Sequence, residues 1–472
     1  MSVISIVCII LLVIGLLFLI KLYYHNKLSL SLRRQYPSSV DRVAPTTQDE
    51  LLALVRSGSK LTLVGAGQTF WGPSGDGHFP GCTQVDLQNF KDIISFDKKV
   101  VTVQAGCTWK DVLKFLSPKG YSVRAMQSYS DFTIGCSISV NCHGQDLRHN
   151  PVYFSIRNLR IMIPNGEIIR LSRRNPLFAY VVGGYGLFGI ILEVTLFVTP
   201  NVQMRKHVQT KFISDYLEYL PYQIDSSWNR DINGSILHSA HLDLNTFDKC
   251  IVVEYIPCSP KENESDIFTK LDLIDESGHR DETYLGFLTN YPTLKTGRSC
   301  IEMVLESTNK LTTRNQILSV NTSTLNSLVY PTSNFTLQEY FIPFPHFSSF
   351  LQQFQNIIMD ANMSINSVNA TIRYVRSHST ILSYAPQDSL AVVLYIDLNK
   401  FEPLEKCVQW TQKLIDCALK YNGTYYLPYH FYARPDQFKR SYPRWREFID
   451  MKRHIDPNEI FVSHLWEFLK SI

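Results

Sequence analysis

Apolar residues recur along this chain with two different periods. Short runs rich in β-branched and apolar residues at positions 61–64, 100–103 and 156–163 read as strands, whereas residues 109–116 carry helical spacing that stops near Gly120. Beyond about residue 201 the glycine punctuation thins, and longer strand patterns appear at 250–256, 337–343, 370–375 and 390–398. Two helices are predicted among them. Residues 347–361 place Phe350, Leu351, Phe354 and Ile357 on one face, and residues 405–420 repeat the pattern. The tail, 437–469, reads as helical and aromatic, broken at Asp456-Pro457. No internal repeat or low-complexity segment interrupts this alternation, which predicts an α+β organisation changing character near residue 200.

The first twenty residues follow neither period. They carry no charged side chain, and a helix of that length, at about 1.5 Å per residue, crosses a hydrocarbon core of roughly 30 Å. Residues 1–22 are therefore expected to be a transmembrane anchor and 23–42 a polar linker. A cleaved signal peptide fits less well, because Lys21, Tyr23, Tyr24 and His25 follow the apolar run where a small-residue cleavage site belongs. Lys21, Lys27, Arg33 and Arg34 lie after the run, so the positive-inside rule puts the folded part in the cytoplasm.

At 472 residues, with 45% hydrophobic and 19% charged side chains, the chain is long enough for two or three packed domains and too apolar for extensive disorder. Its 46 Lys and Arg against 42 Asp and Glu are scattered, which argues against a nucleic-acid partner. The ten cysteines show neither C-x-x-C pairs nor zinc-ligand spacing, so no disulfide framework and no metal site are expected. Sequons at Asn233, Asn321 and Asn422 would favour the secretory side only if glycosylated.

Two glycine clusters invite a nucleotide reading. Gly184, Gly186 and Gly189 match G-x-G-x-x-G, but residues 190–198 that follow read as a strand, and the dinucleotide fingerprint needs a helix there to receive the pyrophosphate. The cluster around Gly65 and Gly67 follows a strand and lets backbone N–H groups approach an anion. On its own it equally describes a tight turn. Two further blocks, 103–109 and 131–144, follow it in order, the second with small residues from Gly135 to Ser139.

Taken together, VGAGQTF, SDFTIGCSISVNCHG and GGYGLFGIILEVTL resemble the loops of the vanillyl-alcohol oxidase family, the PCMH-type FAD-binding oxidoreductases. The tail segment YPRWREFIDMKRHIDPNEIF resembles the closing segment of its sugar and lactone oxidases. Alditol and aldonolactone oxidases and decaprenylphosphoryl-ribose oxidase are the nearest members suggested. The resemblance implies a two-subdomain FAD-binding domain at 43–200, a substrate or cap domain with an antiparallel sheet at 201–404, and a segment at 405–472 that closes the active site and packs on the FAD domain. It places Gly65, Ala66, Gly67, Gln68, Thr69 and Phe70 on the FAD pyrophosphate side, and Gln127, Asp131, Thr133, Gly135, Cys136, Ser139 and His143 along a second FAD loop, with backbone contacts from Gly189 and Ile191. Gln68 stands where several members carry a flavin-bonded histidine, which implies non-covalent FAD. Cys142 reads as a buried bystander.

The activity so implied is oxidation of a CH–OH group on a sugar, alditol, aldonolactone or lipid-linked sugar, with hydride passing to flavin N5 and O₂ or a quinone as final acceptor. Glu339 and Arg373 fall in strands expected to face the flavin. His430 is the expected general base, and Tyr429 stands where decaprenylphosphoryl-ribose oxidase has a lysine. A structural Glu/Arg pair and an inert histidine remain the plainer alternatives for these positions. Two rival functions go with the same domain, an NADPH-dependent reductase of a C=C bond and a non-catalytic flavin-binding protein.

Overall fold

The computed structural model describes residues 41–65, 81–229, 235–244, 246–258, 311–320, 335–360, 367–397, 404–429 and 431–472. Among them no helix is long and apolar enough to cross a membrane. The apolar stretch 1–20 and the linker up to residue 40 lie outside the described residues.

The described chain builds three sheets. The first is parallel, in the order Asp41–Val43, Thr83–Asp86, Leu61–Val64. The helix Gln48–Arg56, capped by Thr47, buries Leu51 and Val55 on it. Its Leu61 edge is completed by residues far along the chain: the Leu61 amide donates to Ile460 at 2.7 Å, and the Val462 amide donates back to Leu61 at 3.0 Å.

The second sheet is antiparallel, in the order Ile93–Phe96, Val100–Gln104, Ile190–Pro200, Ile156–Met162, Ile168–Leu171, with Tyr121–Val123 pairing the far half of Ile190–Pro200. Ile190–Pro200 is central and mostly buried, which explains its nearly unbroken apolar sequence. It is the strand expected after Gly189, so the G-x-G-x-x-G match opens no dinucleotide helix. The helix Trp109–Leu116 starts at a capping box between Thr108 and Asp111, and the chain turns away at Gly120 in the left-handed region (φ 76°).

The third sheet has eight antiparallel strands, in the order Leu311–Thr313, Gln203–Phe212, Lys249–Pro257, Leu237–Leu242, Ser367–Val375, Ser389–Asp397, Phe335–Pro343, Thr424–Tyr425. Register fixes which side chains share a face. Glu339 lies opposite Val393, and Val393 opposite Thr371, so these three point one way. Arg373 is two residues beyond Thr371 and points the same way. Tyr340 points the other way, onto Phe354 of the helix Phe347–Asp360. That helix and Leu404–Lys420 pack together on the outer face.

The residues after 404 divide their loyalties. Leu404–Lys420 and Thr424–Tyr425 belong to the third sheet's layer, while the helix Trp445–Ile455 sets Phe448 edge-on against Phe188 at 5.0 Å. Lys452 and Asp456, both buried, form an ion pair there; Lys452 also donates to the Phe461 carbonyl, and Asp456 accepts the Ile460 and Phe461 amides.

Candidate active site

Two cavities meet between the first two sheets and the inner face of the third. The larger, about 300 Å³, is walled by Leu63, Val64 and Gly65 from the first sheet, by Ala105, Gly106 and Thr108, by Thr133, Gly135, Cys136 and Ser139, and by Tyr185, Gly186 and Ile191. Several walls are bare backbone. A Cβ on Gly65 would stand 2.8 Å from Thr133 Oγ1 and 2.9 Å from Cys136 Cβ, so the strand end approaches the helix Ile134–Ser139 as closely as it does only because residue 65 is glycine. That helix is held from behind by Trp109, whose indole N–H donates to Ser137 Oγ at 2.8 Å. Asp86, Gln88 and Lys91 stand at one end of the cavity.

The smaller pocket, about 110 Å³, shares Cys136 and Val140 with the larger one. Its remaining walls include Gln127, Ser128, Tyr129 and Phe132, the cap residues Leu337, Glu339, Arg373 and Val393, and Tyr426, Pro428 and Tyr429. Glu339 is its chemical centre. One carboxylate oxygen meets His143 Nε2 at 2.5 Å, and the other accepts the Tyr429 hydroxyl. Burial alone would raise this carboxyl; the His143 charge, the bonds from His143 and Tyr429, and the Arg373 charge outweigh it and hold Glu339 below the usual carboxylate range.

His143 is fixed by its surroundings. The next residue, Gly144, passes so close to Met126 that a Cβ there would fall 1.9 Å from the Met126 carbonyl oxygen. Phe341, Tyr426 and Tyr384 surround the imidazole at 5.4, 5.6 and 6.0 Å between ring centres. The two tyrosines donate to the Val140 and Asn141 carbonyls, at 2.9 and 2.6 Å, so the box is tied to the helix it faces. His143 Nδ1 and Arg373 Nε are both buried without a hydrogen-bond partner among the described residues.

The structure sorts the residues singled out in the sequence. Gly65, Thr133, Gly135, Cys136, Ser139 and Ile191 line the larger cavity. Gln127 and His143, grouped with them as cofactor residues, lie in the smaller pocket instead, beside Glu339, Arg373 and Tyr429. Asp131 and Gly189 line neither. The backbone around Asp131 is occupied in starting a helix, with Phe132 and Ser130 carbonyls accepting the Trp109 and Lys110 amides. Gly189 answers to packing, since a Cβ there would meet the Met162 carbonyl oxygen at 2.2 Å. Ala66, Gly67, Gln68, Thr69, Phe70 and His430 lie outside the described residues. Cys142 is buried at the pocket wall and its thiol is pushed up by burial, as is that of Cys136, to about 11. No group of three or more His, Cys, Asp or Glu fit to hold a metal occurs among the described residues.

Comparison with known proteins agrees with this geometry. Residues 42–172 match the model of an FAD binding domain, and residues 277–471 match that of D-arabinono-1,4-lactone oxidase. The chain is 37% identical to cytokinin dehydrogenase 2 of Arabidopsis thaliana over 107 residues, 22% of this chain and 21% of that protein. It is 34% identical over 137 residues to a putative D-arabinono-1,4-lactone oxidase of Neurospora crassa, covering 27% of this chain and 25% of that one. It is 32% identical over 124 residues to decaprenylphosphoryl-beta-D-ribose oxidase of Mycolicibacterium smegmatis, covering 25% and 27%. The matches span about a quarter of the length of these relatives. FAD is the cofactor, and the residues present fit it: a backbone-walled cavity continuous with a pocket holding two unpartnered buried nitrogens.

Proposed function

We propose, from the chain's membership of the PCMH-type FAD-linked oxidoreductases, that it oxidises a CH–OH group of a sugar, alditol or aldonolactone-like substrate. Bound FAD supplies the capacity to take a hydride from carbon. What remains for the side chains is to take the hydroxyl proton and hold the carbinol in place.

The observation that carries this reading is the Glu339–His143 pair. Paired with the Glu339 carboxylate, which the Tyr429 hydroxyl and the Arg373 charge favour whether or not His143 is charged, His143 donates through Nε2–H, and in its neutral form the lone pair sits on Nδ1. That is the buried nitrogen with no partner. His143 Nδ1 takes the hydroxyl proton, Glu339 stabilises the imidazolium that forms, and Tyr429 holds Glu339 by its second oxygen. Arg373 reaches a substrate oxygen from the strand two places along the same sheet. This gives His143 the role that the sequence reading gave to His430.

Non-covalent FAD, O₂ or a quinone as acceptor, and a single-pass anchor at 1–22 with the catalytic part on the cytoplasmic side belong to the same proposal. The membrane setting makes a lipid-linked sugar a natural member of the donor panel.

The test is an absorption spectrum of the purified protein before and after acid precipitation, then anaerobic addition of sugars, alditols, aldonates and aldonolactones. Release of FAD into the supernatant and bleaching by at least one donor support the reading. A loaded protein that no donor bleaches, but that NADPH does, overturns it.

A further inference from the structure

We propose that Arg373 makes the smaller pocket selective for a carboxylate next to the reacting carbinol, so that the preferred donor is an open-chain 2-hydroxy acid of the sugar-acid class rather than a neutral alditol or lactone. The proposal rests on the functional reading above and narrows its substrate.

The argument starts from charge. Glu339 and Arg373 are the two charged residues of the pocket wall, with His143 beside them. They do not neutralise each other by contact, because both oxygens of Glu339 are already engaged, one by His143 and one by Tyr429. Arg373 forms no ion pair among the described residues, and its Nε is buried with nothing to donate to. Asp388, just before the adjacent strand Ser389–Asp397, is occupied by the Tyr374 hydroxyl at 2.7 Å and the Ser377 amide at 2.8 Å.

Arg373 is half-buried and its buried Nε–H is costly until something accepts it, while its terminal N–H groups offer further donors. A carboxylate accepts two in parallel and cancels the charge. A lactone carbonyl accepts fewer and leaves the charge standing, and an alditol offers only hydroxyls. The fork is also in the right place. Arg373 lies two strands from Glu339, about 10 Å across the sheet and about 7 Å along it, and both side chains line the same small pocket. A carboxylate on Arg373 therefore leaves the adjacent carbon near the Glu339–His143 pair.

The full-length holoprotein decides the matter with one matched set: an aldonate, its own 1,4-lactone and the corresponding alditol, together with oxalate, a dianion with no carbinol to oxidise. The expected result is a kcat/KM for the aldonate about 100-fold above that for the lactone, as a site built for one polar group rejects its analogue. Oxalate binds the wild type in a calorimetric titration. Arg373→Met abolishes both the preference and the oxalate binding while keeping its FAD content, and Arg373→Lys restores part of each. A wild type that prefers the lactone or the alditol overturns the proposal. So does an Arg373→Met variant that loses all three donors in equal proportion and still binds oxalate, because the guanidinium then serves the cofactor. If no donor is oxidised at all, yet oxalate binding still depends on Arg373, the functional reading fails and the anion selectivity stands.

Discussion

Arg314 Nη2 and Asp146 Oδ2, 168 positions apart in the chain, meet at 2.6 Å in a fully buried ion pair between the FAD-binding part and the cap. Arg314 also donates to the Arg124 and Val123 carbonyls, and Asp146 accepts from Ser235 and from the Arg148 and His149 amides. Both Asp146 oxygens are engaged, so losing the arginine strands the carboxylate.

Replacing Arg314 by Met leaves the Asp146 charge buried without its cation. The expected cost is roughly 3–5 kcal/mol of stability, read from urea unfolding. The pH response follows from sign. Burial on its own raises the Asp146 carboxyl, but His149, Arg314 and Ser235 hold it far below its ordinary value of 3.8. A depressed carboxyl contributes stability that is complete above the unfolded pKa and is lost as pH falls below it, so wild-type stability declines below about pH 4. In Arg314→Met that acid decline is shallower.

Tyr429→Phe removes one of the two bonds that keep Glu339 ionised. The expected effect is a fall in kcat of about 10- to 100-fold, with the acid limb of the kcat profile moved to higher pH, because the carboxyl then protonates sooner. An unchanged acid limb would show that Tyr429 holds the substrate and leaves Glu339 alone.

Gly144→Ala tests whether His143 is positioned by the backbone behind it. The added methyl lies 1.9 Å from the Met126 carbonyl oxygen, so the chain must move. Turnover is expected to fall at least about 100-fold, as a displacement near 1 Å costs in a preorganised site. The FAD content should stay within about a factor of two of wild type by flavin absorbance, since residue 144 lines neither cavity.

Lys452→Met probes the joint between the late helices and the first sheet. It leaves Asp456 buried with only amide donors, and a loss of roughly 3 kcal/mol is expected from the melting curve. Burial brings the Lys452 ammonium down to about 8 even against the pull of Asp456. Between that value and the ordinary 10.5 the unfolded chain binds the extra proton, so this residue makes wild-type stability rise with pH there, a slope the variant lacks.

The sequence was most legible where a pattern is local. Residues 61–64 form a strand with the expected bounds, 109–116 form the expected helix, and the strand after Gly189 exposes the misleading glycine fingerprint. The small-residue block at 134–139, read as a loop, is a short helix, because Gly and Ser there serve close packing against Ala105 and hydrogen bonds to the preceding turn. Glu339 and Arg373 stand out through the resemblance, in strands expected to face the flavin, and the sheet register puts them on one face. The pairing of His143 with Glu339 is hidden in the sequence, since Glu339 lies 196 positions away and motif order groups the histidine with the FAD contacts. No local signal announces the Asp146–Arg314 pair either: both residues look ordinary until the fold brings them together.

The edge where Leu61 bonds to Ile460 and Val462 has a consequence for how the molecule is made. Lys60 likewise waits for the Asn458 carbonyl, 398 positions later. The first sheet, a wall of the FAD cavity, stays open along one side while the ribosome is still translating everything between. Contacts of this sequence separation form late and slowly. Flavin loading is therefore expected to wait until residues 458–462 have left the ribosome, and residues 1–200 expressed alone form an incomplete flavodomain with a bare strand edge, prone to aggregate.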